Sequence, residues 1–251
     1  MKIEGICAII TGAADGIGRA VAEELLVKGA KFVAVLDINE TKGEETTKDL
    51  TEKFGKERVK FILCNVAKND EIESAFQKAF DVHKHLDVII NNAGVTERHS
   101  DILQINLGSV ITGSYLAKDY LSKGNGGKGG VLINTGSLSG LCLFKDARYT
   151  ATKHGVVGFS LSLALQDSCF SKDDIRVGVI CPGFVTTGIT QNLPPEVVFV
   201  SMDQVVEAYV LMIEDDTKHS CCIRVTPNLG IDLHPITCPQ QFAKYIGVFR
   251  S

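Results

Sequence analysis

Short apolar runs alternate with amphipathic stretches along most of this chain. The runs have the length of buried strands, and the stretches between them carry helical periodicity. Predicted strands occupy residues 3–10, 31–36, 59–63, 86–90, 131–134, 175–180 and 221–226. Predicted helices occupy residues 19–28, 41–54, 70–83, 101–123, 149–170 and 203–213. Because a helix lies between consecutive strands, the pattern predicts an α/β fold, a doubly wound parallel sheet with helices on both faces.

One domain accounts for the whole length. The chain has 251 residues, and neither an internal repeat nor a long linker divides it. An α/β domain of this size buries a sizeable core. We expect residues 1–251 to form a single dinucleotide-binding and catalytic domain, with a substrate segment at about 184–212 and an ordered tail at 227–251.

Three glycines stand where the first predicted strand passes into the first predicted helix. Gly12, Gly16 and Gly18 follow the spacing G-x-x-x-G-x-G, and Gly29 ends the helix. Backbone N–H groups and the positive end of the helix dipole point into such a turn, which suits a pyrophosphate. A plain strand-to-helix turn needs only one glycine. The three glycines therefore favour a Rossmann-type dinucleotide site.

An acidic residue ends the second predicted strand. Asp37 lies 19 residues after Gly18, where a carboxylate can bind both ribose hydroxyls of an adenosine. The same charge repels a 2′-phosphate, and no arginine follows to reverse this. The position therefore favours NAD over NADP. The alternative is that Asp37, together with Asn39, only caps the next helix.

Tyr149 and Lys153 are candidates for proton transfer. They are four residues apart in a predicted helix, so both side chains fall on one face. A nearby ammonium favours the phenolate, which predicts a lowered tyrosine pKa. Ser137, at the end of the fifth predicted strand, can hold a substrate oxygen by a hydrogen bond. Taken alone, the tyrosine and lysine are an ordinary surface pair; with Ser137 they are typical of a site acting on an alcohol or carbonyl.

Charge and hydropathy exclude several kinds of partner. The formal net charge is −4 and the pI about 5.9, with lysines and arginines scattered. This composition argues against nucleic acid and membrane surfaces as partners. The chain begins directly with a predicted strand, and no apolar run is long enough to span a bilayer. We expect a soluble, cytoplasmic protein.

Cysteine and histidine spacing predicts no metal site. The eight cysteines form no C-x-x-C pair, and Cys221 and Cys222 are adjacent, which is poor ligand spacing. We expect the cysteines to be small buried hydrophobic residues in a reducing compartment. His154 follows Lys153 directly and is expected to be structural. The other histidines show no metal-ligand grouping.

Several short motifs occur in a fixed order along the chain. They are Thr11-Gly12 with Gly16 and Gly18, Asn91-Asn92-Ala93-Gly94, Asn106, Ser137, Tyr149 with Lys153, and Pro182-Gly183-Phe184-Val185-Thr186-Thr187. With these motifs the chain resembles the short-chain dehydrogenase/reductase family over nearly its whole length. Residues 103–107, 119–127, 153–159 and 213–216 are similar in particular to NAD-dependent 15-hydroxyprostaglandin dehydrogenases and insect-type alcohol dehydrogenases.

The resemblance implies a role for each motif residue. Tyr149 is the implied acid/base, and Ser137 positions the substrate oxygen. Lys153 is implied to lower the tyrosine pKa and hold the nicotinamide ribose, and Asn106 to anchor a water that links the lysine to solvent. Thr187 contacts the nicotinamide carboxamide and the diphosphate. The implied cofactor contacts are Gly12, Asp15, Gly16, Ile17, Gly18, Asp37, Asn65, Val66, Asn92, Ala93, Gly94, Tyr149, Lys153, Pro182, Gly183, Val185 and Thr187.

The chain departs from the family pattern at four places. Ser137 lies 12 residues before Tyr149, one fewer than usual, so Ser139 is the alternative for holding the substrate. Asn65 replaces an acid that usually precedes the third-strand valine. Lys145-Asp146 stands where prostaglandin dehydrogenases carry an amide, and residues 188–212 form a short segment. These differences predict a different substrate pocket.

The motifs together favour NAD-dependent oxidation of a secondary or allylic alcohol. We expect a hydrophobic, prostaglandin-, isoprenoid- or steroid-like substrate, because apolar residues surround the predicted pocket, although they could equally belong to the core: Leu141, Leu143, Phe144, Phe184, Val185 and Ile189. One alternative is a carbonyl reductase working in reverse, against which Asp37 argues. Another is a non-catalytic nucleotide-binding scaffold, a class that commonly lacks the tyrosine or lysine.

The resemblance also implies an oligomer. The predicted helices at 101–123 and 149–170 carry apolar residues on more than one face, and in the family these helices pair across a two-fold axis. We expect a homodimer or a homotetramer.

Overall fold

Eight strands form one sheet in the part of the chain that the computed structural model describes, residues 1–166, 170–190 and 196–235. They are β1 Cys7–Thr11, β2 Phe32–Asp37, β3 Val59–Leu63, β4 Val88–Asn91, β5 Gly130–Thr135, β6 Ile175–Pro182, β7 Cys221–Thr226 and β8 Gly230–Leu233. Their order across the sheet is β3-β2-β1-β4-β5-β6-β7-β8. Neighbouring strands from β3 to β7 pair in parallel, which confirms the predicted doubly wound α/β sheet.

Helices pack on both faces of this sheet. They are α1 Gly16–Val27, α2 Glu40–Phe54, α3 Asn69–His83, α4 Ser109–Leu121, α5 Ala147–Ala164 and α6 Met202–Glu214. Alternate side chains of β1 enter opposite cores, since successive residues of a strand face opposite sides. Ala8 and Ile10 pack with α1, α2 and α6, whereas Cys7 and Ile9 pack with α3, α4 and α5.

The predicted ordered tail contains a strand that the sequence reading missed. β8 pairs antiparallel with β7 through a tight connection that brings Thr226 opposite Gly230. Gly230 has φ +67°, a backbone conformation that favours glycine. Arg224 and Asp232 form an ion pair across the hairpin. The sheet therefore ends in one antiparallel strand, and residues 236–251 of the predicted tail lie outside the described residues.

Two predicted helices differ from the observed ones. The prediction at 101–123 becomes a π-helical segment, Gln104–Gly108, that leads into α4, and α4 ends at Leu121. The prediction at 149–170 becomes α5, which begins two residues earlier at Ala147 and ends at Ala164. Tyr149 therefore lies in the first turn of α5 rather than at its start.

The carboxyl ends of the parallel strands place the predicted site residues at one edge. The glycine turn follows β1, Asp37 ends β2, Asn92 follows β4 and Ser137 follows β5. Open α/β sheets bind their ligands at this edge. In residues 1–166, 170–190 and 196–235, no helix is long and apolar enough to cross a membrane.

Candidate active site

The glycine turn after β1 leaves no room for a side chain at Gly12 or Gly18. A Cβ on Gly12 would lie 2.7 Å from the Cα of Ala93, and Gly12 has φ +65°. A Cβ on Gly18 would lie 2.4 Å from the Gly12 carbonyl oxygen and 2.7 Å from the Asn92 amide nitrogen. The turn and the segment after β4 therefore pack backbone against backbone, which leaves the N-terminus of α1 open to a ligand.

Asp15 and Thr187 border this turn. Asp15 is the N-cap of α1 and accepts a hydrogen bond from Gly16 N at 2.7 Å. Its carboxylate also forms an ion pair with Lys42 of α2, which lowers the pKa of Asp15. A Cβ on Gly16 would lie 3.3 Å from Cγ2 of Thr187. Thr187 therefore lies beside the glycine turn, where a contact with a bound diphosphate is feasible. Ile17, the next residue of α1, is half-buried.

Asp37 is held beside the glycine turn by two backbone N–H groups. Its Oδ2 accepts from Ala14 N at 3.0 Å and its Oδ1 from Asn39 N at 2.9 Å. The cap of α2 is Asn39, whose side chain accepts from Lys42 N. Each Asp37 oxygen keeps a lone pair for a ribose hydroxyl. This arrangement fits the predicted ribose contact better than the alternative in which Asp37 only caps α2.

Asn65 and Val66 follow β3, next to Asp37 in the sheet. The Asn65 side chain accepts from Ala67 N at 3.0 Å, and Asn65 N donates to the Glu71 carboxylate at 2.8 Å. Val66 is buried. The turn is therefore rigid, and the predicted adenine contact would come from atoms at its surface.

Asn92 and Thr11 join the segment after β4 to the glycine turn. The Asn92 amide nitrogen donates to the carbonyl oxygens of Thr11 and Gly12. The Thr11 hydroxyl accepts from Asn92 N and Ala93 N at 2.9 and 3.1 Å. Thr11 and Asn92 are thus the residues that fix the turn against the Asn92-Ala93-Gly94 segment.

Ser137, Tyr149 and Lys153 come together at the end of β5. Burial lowers the pKa of Lys153 to about 8, and its Nζ donates to Thr135 O at 2.9 Å. The Lys153 Nζ lies 5.7 Å from the centroid of the Tyr149 ring. Ser137 accepts from Ser139 N at 3.1 Å and begins the short 3₁₀ turn Leu138–Gly140. Three polar groups able to bind a hydroxyl and move its proton thus share one place.

The pKa of Tyr149 differs from the sequence expectation. Burial raises it above the ordinary value of a tyrosine, and hydrogen bonding with the Ser137 hydroxyl lowers it by a smaller amount. The sequence predicted a pKa lowered by Lys153, but the pKa of Tyr149 is raised, and burial of the phenol is its largest cause. The interaction with Ser137 rather than Ser139 supports Ser137 as the residue nearest the reacting oxygen.

A buried hydroxyl pair lies behind Lys153, and the sequence analysis missed it. Tyr209 of α6 is fully buried, and its hydroxyl lies 2.7 Å from the Thr135 hydroxyl. Thr135 supplies the carbonyl that holds Lys153, and its hydroxyl donates to the Asn92 side chain at 3.4 Å. Neither residue belongs to a local motif, so no sequence signal marked them.

Asn106 holds the loop after β4 rather than facing the lysine directly. It is fully buried in the π-helical segment. Its Oδ1 accepts from Val95 N at 2.8 Å and its Nδ2 donates to Val95 O at 2.9 Å. A Cβ on Gly94 would lie 3.4 Å from Asn106 Oδ1 and 3.8 Å from Lys153 Nζ. Asn106 and Lys153 therefore both lie close to Gly94, and the implied water stays a prediction.

Glu97 is another residue that the sequence analysis missed. Its carboxylate accepts from Tyr149 N at 2.7 Å and pairs with Arg148, and these contacts lower the pKa of Glu97. Asp146, the N-cap of α5, makes no side-chain capping hydrogen bond. Glu97, which is 52 positions from Tyr149 in sequence, takes over that task.

The segment after β6 offers mainly backbone atoms to the candidate site. Gly183 N donates to Val225 O at 2.9 Å, and Pro182 ends β6. The side chain of Val185 is buried in the core, and Val185 forms a bridge with Val200. A cofactor contact by Val185 would therefore involve its main chain. Residues 191–195 of the predicted substrate segment, and the side chain of Ile189, lie outside the described part.

The cysteines are not all alike. Cys142 is exposed, so the expectation that the cysteines are buried is wrong for this residue. Cys181 is buried behind Ser137, and a hydrogen bond from Cys222, whose Sγ is 3.6 Å away, lowers the pKa of Cys181. Cys169 and Cys238 lie outside the described residues.

An open cleft and an aromatic pair lie at the same edge of the sheet as the candidate residues. The cleft has a volume of about 370 Å³, and its lining is Gly94, Val95, Thr96, Arg98, His99 and Gly188. Phe144 and Phe184 contact each other edge to face, with ring centroids 5.8 Å apart. Leu143 is 91% exposed, whereas Val185 belongs to the core. The apolar residues of the predicted pocket are thus divided between the surface and the core.

Comparisons with known proteins agree with this geometry. The family model of the short chain dehydrogenases matches residues 6–197. This chain belongs to the short-chain dehydrogenase family. It is 40% identical to the 15-hydroxyprostaglandin dehydrogenase (NAD(+)) of Macaca fascicularis, over 92% of this chain and 94% of that protein. It is 33% identical to the 3-oxoacyl-(acyl-carrier-protein) reductase of Escherichia coli K12, over 77% and 79% of the two chains.

A solved structure shows the same fold at low identity. The 3-ketoacyl-(acyl-carrier-protein) reductase from Brucella melitensis, complexed with NADH, superposes with a TM-score of 0.79 at 21% identity. The match covers 91% of this short-chain dehydrogenase and all of the Brucella chain. The likeness confirms the fold.

Proposed function

We propose that this short-chain dehydrogenase oxidises a hydrophobic secondary or allylic alcohol to the carbonyl with NAD. The observation that carries the proposal is the cluster of Ser137, Tyr149 and buried Lys153, which lies beside the glycine turn. The name of the macaque relative supports NAD and the direction of oxidation. We also propose that residues 1–251 form one catalytic domain.

The residues at the sheet edge fit NAD. Gly12 and Gly18 have no room for a side chain, and without one a pyrophosphate can approach the N–H groups at the start of α1. Asp37 is oriented for ribose hydroxyls and would repel a 2′-phosphate. Residues that would hold the cofactor are therefore Gly12, Gly16, Gly18, Asp37 and Asn92, with Lys153 near the nicotinamide end. When bound, NAD accepts the hydride from the substrate carbon.

The chain's own residues supply position and proton transfer. Ser137 donates a hydrogen bond to the substrate oxygen and aligns it with Tyr149. Tyr149 takes the hydroxyl proton, and the Lys153 ammonium stabilises the phenolate that must form first. Glu97 holds the Tyr149 backbone, and Thr135 holds Lys153. The reaction needs an alcohol oxygen within hydrogen-bond reach of both Ser137 and Tyr149.

The substrate contacts that we propose are apolar. The Phe144–Phe184 pair offers ring faces and edges, and Leu143 is almost completely exposed beside Phe144. Burial of an exposed leucine by a ligand contributes about 2 kcal/mol to the free energy of binding. A prostaglandin-, isoprenoid- or steroid-like alcohol fits such a surface better than a short alcohol.

A carbonyl reductase is the second candidate, because a relative that covers most of the chain is named as a reductase. Asp37 argues against it, because it disfavours the phosphorylated cofactor that reductases usually take. A non-catalytic scaffold is a weaker candidate, since the tyrosine, the lysine and the serine are together in space.

NADH absorbance tests the proposal. Purified protein mixed with NAD should generate NADH with alcohols of an eicosanoid, isoprenoid or steroid panel, and Tyr149→Phe should not. Faster turnover of ketones with NADPH would instead support the reductase. Cofactor binding without turnover of any panel member in either direction would support the scaffold.

We also propose a cytoplasmic location. The sulfurs of Cys181 and Cys222 lie 3.6 Å apart without a disulfide bond, and none of the described cysteines forms a disulfide. Neighbouring thiols persist in a reducing compartment. Fractionation of cells that make the protein, with detection by antibody, should place it in the cytosol.

A further inference from the structure

A cysteine, a histidine and an aspartate meet at the amino-terminal edge of the sheet, opposite the active site. Cys7 begins β1, Asp87 immediately precedes β4, and His85 lies in the turn after α3. One donor atom from each residue lies within 4.8 Å of the other two. The sequence predicted no such grouping, because Cys7 and Asp87 are 80 positions apart.

Strand pairing fixes two of the three residues. Cys7 N donates to Asp87 Oδ2 at 2.8 Å, and Asp87 N donates to Cys7 O at 2.9 Å. Ala8 and Val88 are partners in the parallel ladder, so Cys7 and Asp87 share one register position. The thiol and the carboxylate are therefore held side by side by the backbone.

The hydrogen on the His85 ring is assigned by its neighbour. Nδ1 lies 3.1 Å from the carbonyl oxygen of His83, and a carbonyl only accepts, so Nδ1 carries the hydrogen. In the neutral ring Nε2 is then a bare acceptor, and it lies 3.4 Å from Asp87 Oδ2, another acceptor. Asp87 Oδ2 also accepts from Cys7 N. A cation between the two facing acceptors, either a proton or a metal ion, would relieve their repulsion. A backbone carbonyl on the second nitrogen is the usual support of a metal-ligating histidine.

The spacing suits a tetrahedral ion. Bonds of about 2.0–2.1 Å from zinc to nitrogen and oxygen place these two donors about 3.3 Å apart, and the observed separation is 3.4 Å. The thiol is the third donor. His85 is 29% exposed and Asp87 15% exposed, whereas Cys7 is fully buried, so the His85 and Asp87 side of the cluster is the one open to solvent.

We propose that Cys7, His85 and Asp87 bind a divalent ion of the zinc class, with a water molecule as fourth ligand. The Cys7 Sγ–H bond breaks as the Sγ–metal bond forms, and the thiol proton passes to solvent. Burial raises the pKa of the Cys7 thiol to about 11, with Asp87 adding to the rise and Lys31 opposing it. The ion would tie β1 to β4 and to the turn after α3. Because the site lies at the sheet edge away from Tyr149, its effect is on stability.

Cobalt and zinc binding test the site without any need for activity. Metal-free protein is titrated with Co²⁺, and thiolate-to-cobalt and tetrahedral d–d bands are followed by absorbance; Zn²⁺ should then displace the cobalt. Cys64→Ser is the matched control, because Cys64 is buried in the same core but lies outside the cluster. We expect both bands, and one proton released per ion, in the wild type and in Cys64→Ser.

The variants at the site decide the outcome. Cys7→Ser should lose the thiolate band, and His85→Gln should weaken binding roughly tenfold or more. Zinc should raise the melting temperature of the wild type and of Cys64→Ser but not of His85→Gln. If Cys7→Ser does not fold, the half-exposed His85→Gln carries the test. Absent bands in the wild type, or equal zinc affinity in His85→Gln, would overturn the proposal and leave a shared proton as the bridge.

Discussion

At the scale of single residues, burial decides the chemistry of Tyr149 and Lys153. Desolvation raises the pKa of the tyrosine and lowers that of the lysine to about 8. Neither value follows from the i, i+4 spacing alone. Because the Lys153 Nζ lies 5.7 Å from the Tyr149 ring, we expect the two groups to titrate together, so that measured values belong to the pair.

The first prediction concerns the proton acceptor. Tyr149→Phe keeps the ring and removes the hydroxyl, so kcat should fall by about 10²–10⁴-fold. NAD affinity should stay nearly unchanged, because the glycine turn and Asp37 hold most of the cofactor. Steady-state kinetics and NAD titration measure both quantities. Near-normal kcat in this variant would limit the family likeness to the fold.

Ser137→Ala serves as the companion change, and Ser139→Ala is its matched control. Ser137 interacts with Tyr149, whereas Ser139 offers only its backbone N–H to Ser137. Turnover should therefore fall further in Ser137→Ala. The reverse order would mean that the shortened loop before α5 has moved the substrate to Ser139.

The second prediction is a rise of kcat for alcohol oxidation with pH. Tyr149 accepts a proton only as phenolate, and its pKa in the folded protein is raised. Activity is therefore lost as the pH falls below the ionisation of the tyrosine–lysine pair and gained above it. Lys153→Met should move the rise to higher pH, since it removes the cation that favours the phenolate. A flat profile in the wild type would contradict this assignment.

The third prediction concerns cofactor choice. Asp37 should favour NAD over NADP by roughly tenfold or more, because charged hydrogen bonds to the ribose are lost and a phosphate is repelled. Dissociation constants for both cofactors measure the preference. Asp37→Ser should reduce the difference between the two dissociation constants, because NAD should bind more weakly and NADP more tightly. NADP binding as tight as NAD binding in the wild type would refute the role of Asp37.

At the scale of elements, the first turn of α5 depends on a residue from another loop. Its N-cap Asp146 makes no capping hydrogen bond, and Glu97 accepts from Tyr149 N instead. A carboxylate near a helix N-terminus also interacts favourably with the helix dipole. The position of Tyr149 therefore relies on the loop between β4 and the π-helical segment.

The fourth prediction follows from this contact. Glu97→Ala should lower kcat roughly tenfold while NAD affinity changes little, because the tyrosine loses its fixed orientation. Glu97→Gln keeps an acceptor oxygen and should restore most of the loss. Arg148→Ala, which removes the charge partner but not the cap, is the control and should have a small effect. Equal kcat in Glu97→Ala and the wild type would exclude a positioning role.

At the scale of the whole molecule, α4 and α5 leave apolar side chains uncovered. Tyr115 is 48% exposed and Leu165 52% exposed, and the Tyr115 and Phe159 rings lie 6.2 Å apart. An added Cβ on Gly158, next to Phe159, would meet nothing within 4 Å. The outward side of these helices thus has room for a second copy, in keeping with the homodimer or homotetramer that the sequence implies.

The fifth prediction is a homodimer, or a tetramer built from it, through α4 and α5. Gly158→Arg fits the protomer and raises helix propensity, but it places a charge in the proposed two-fold contact. It should shift the protein toward monomer in sedimentation experiments. Any fall in its melting temperature should come from the lost interface, because the protomer itself accepts the change. A monomeric wild type at micromolar concentration would disprove the interface.

Local patterns alone determined much of the architecture. Apolar runs and helical periodicity located β1 to β7 and the six described α-helices, but the helix predicted at 101 begins as α4 only at Ser109, and the one predicted to end at 170 ends at Ala164. The glycine spacing located the turn at α1, and the four-residue spacing of Tyr149 and Lys153 placed them on one helix face. These features depend on neighbours in sequence, since strand and helix periodicities are local.

Only the tertiary structure decided which distant groups meet and how deeply they are buried. Glu97 caps α5 across 52 positions, and Tyr209 reaches Thr135 across 74. The sequence did not predict β8, because four residues are too few to show a strand periodicity. Its antiparallel direction follows from its pairing with β7. The tertiary structure also decides the raised pKa of Tyr149 and the meeting of Cys7, His85 and Asp87. Desolvation and contacts between strands depend on packing, which periodicity along the chain does not encode.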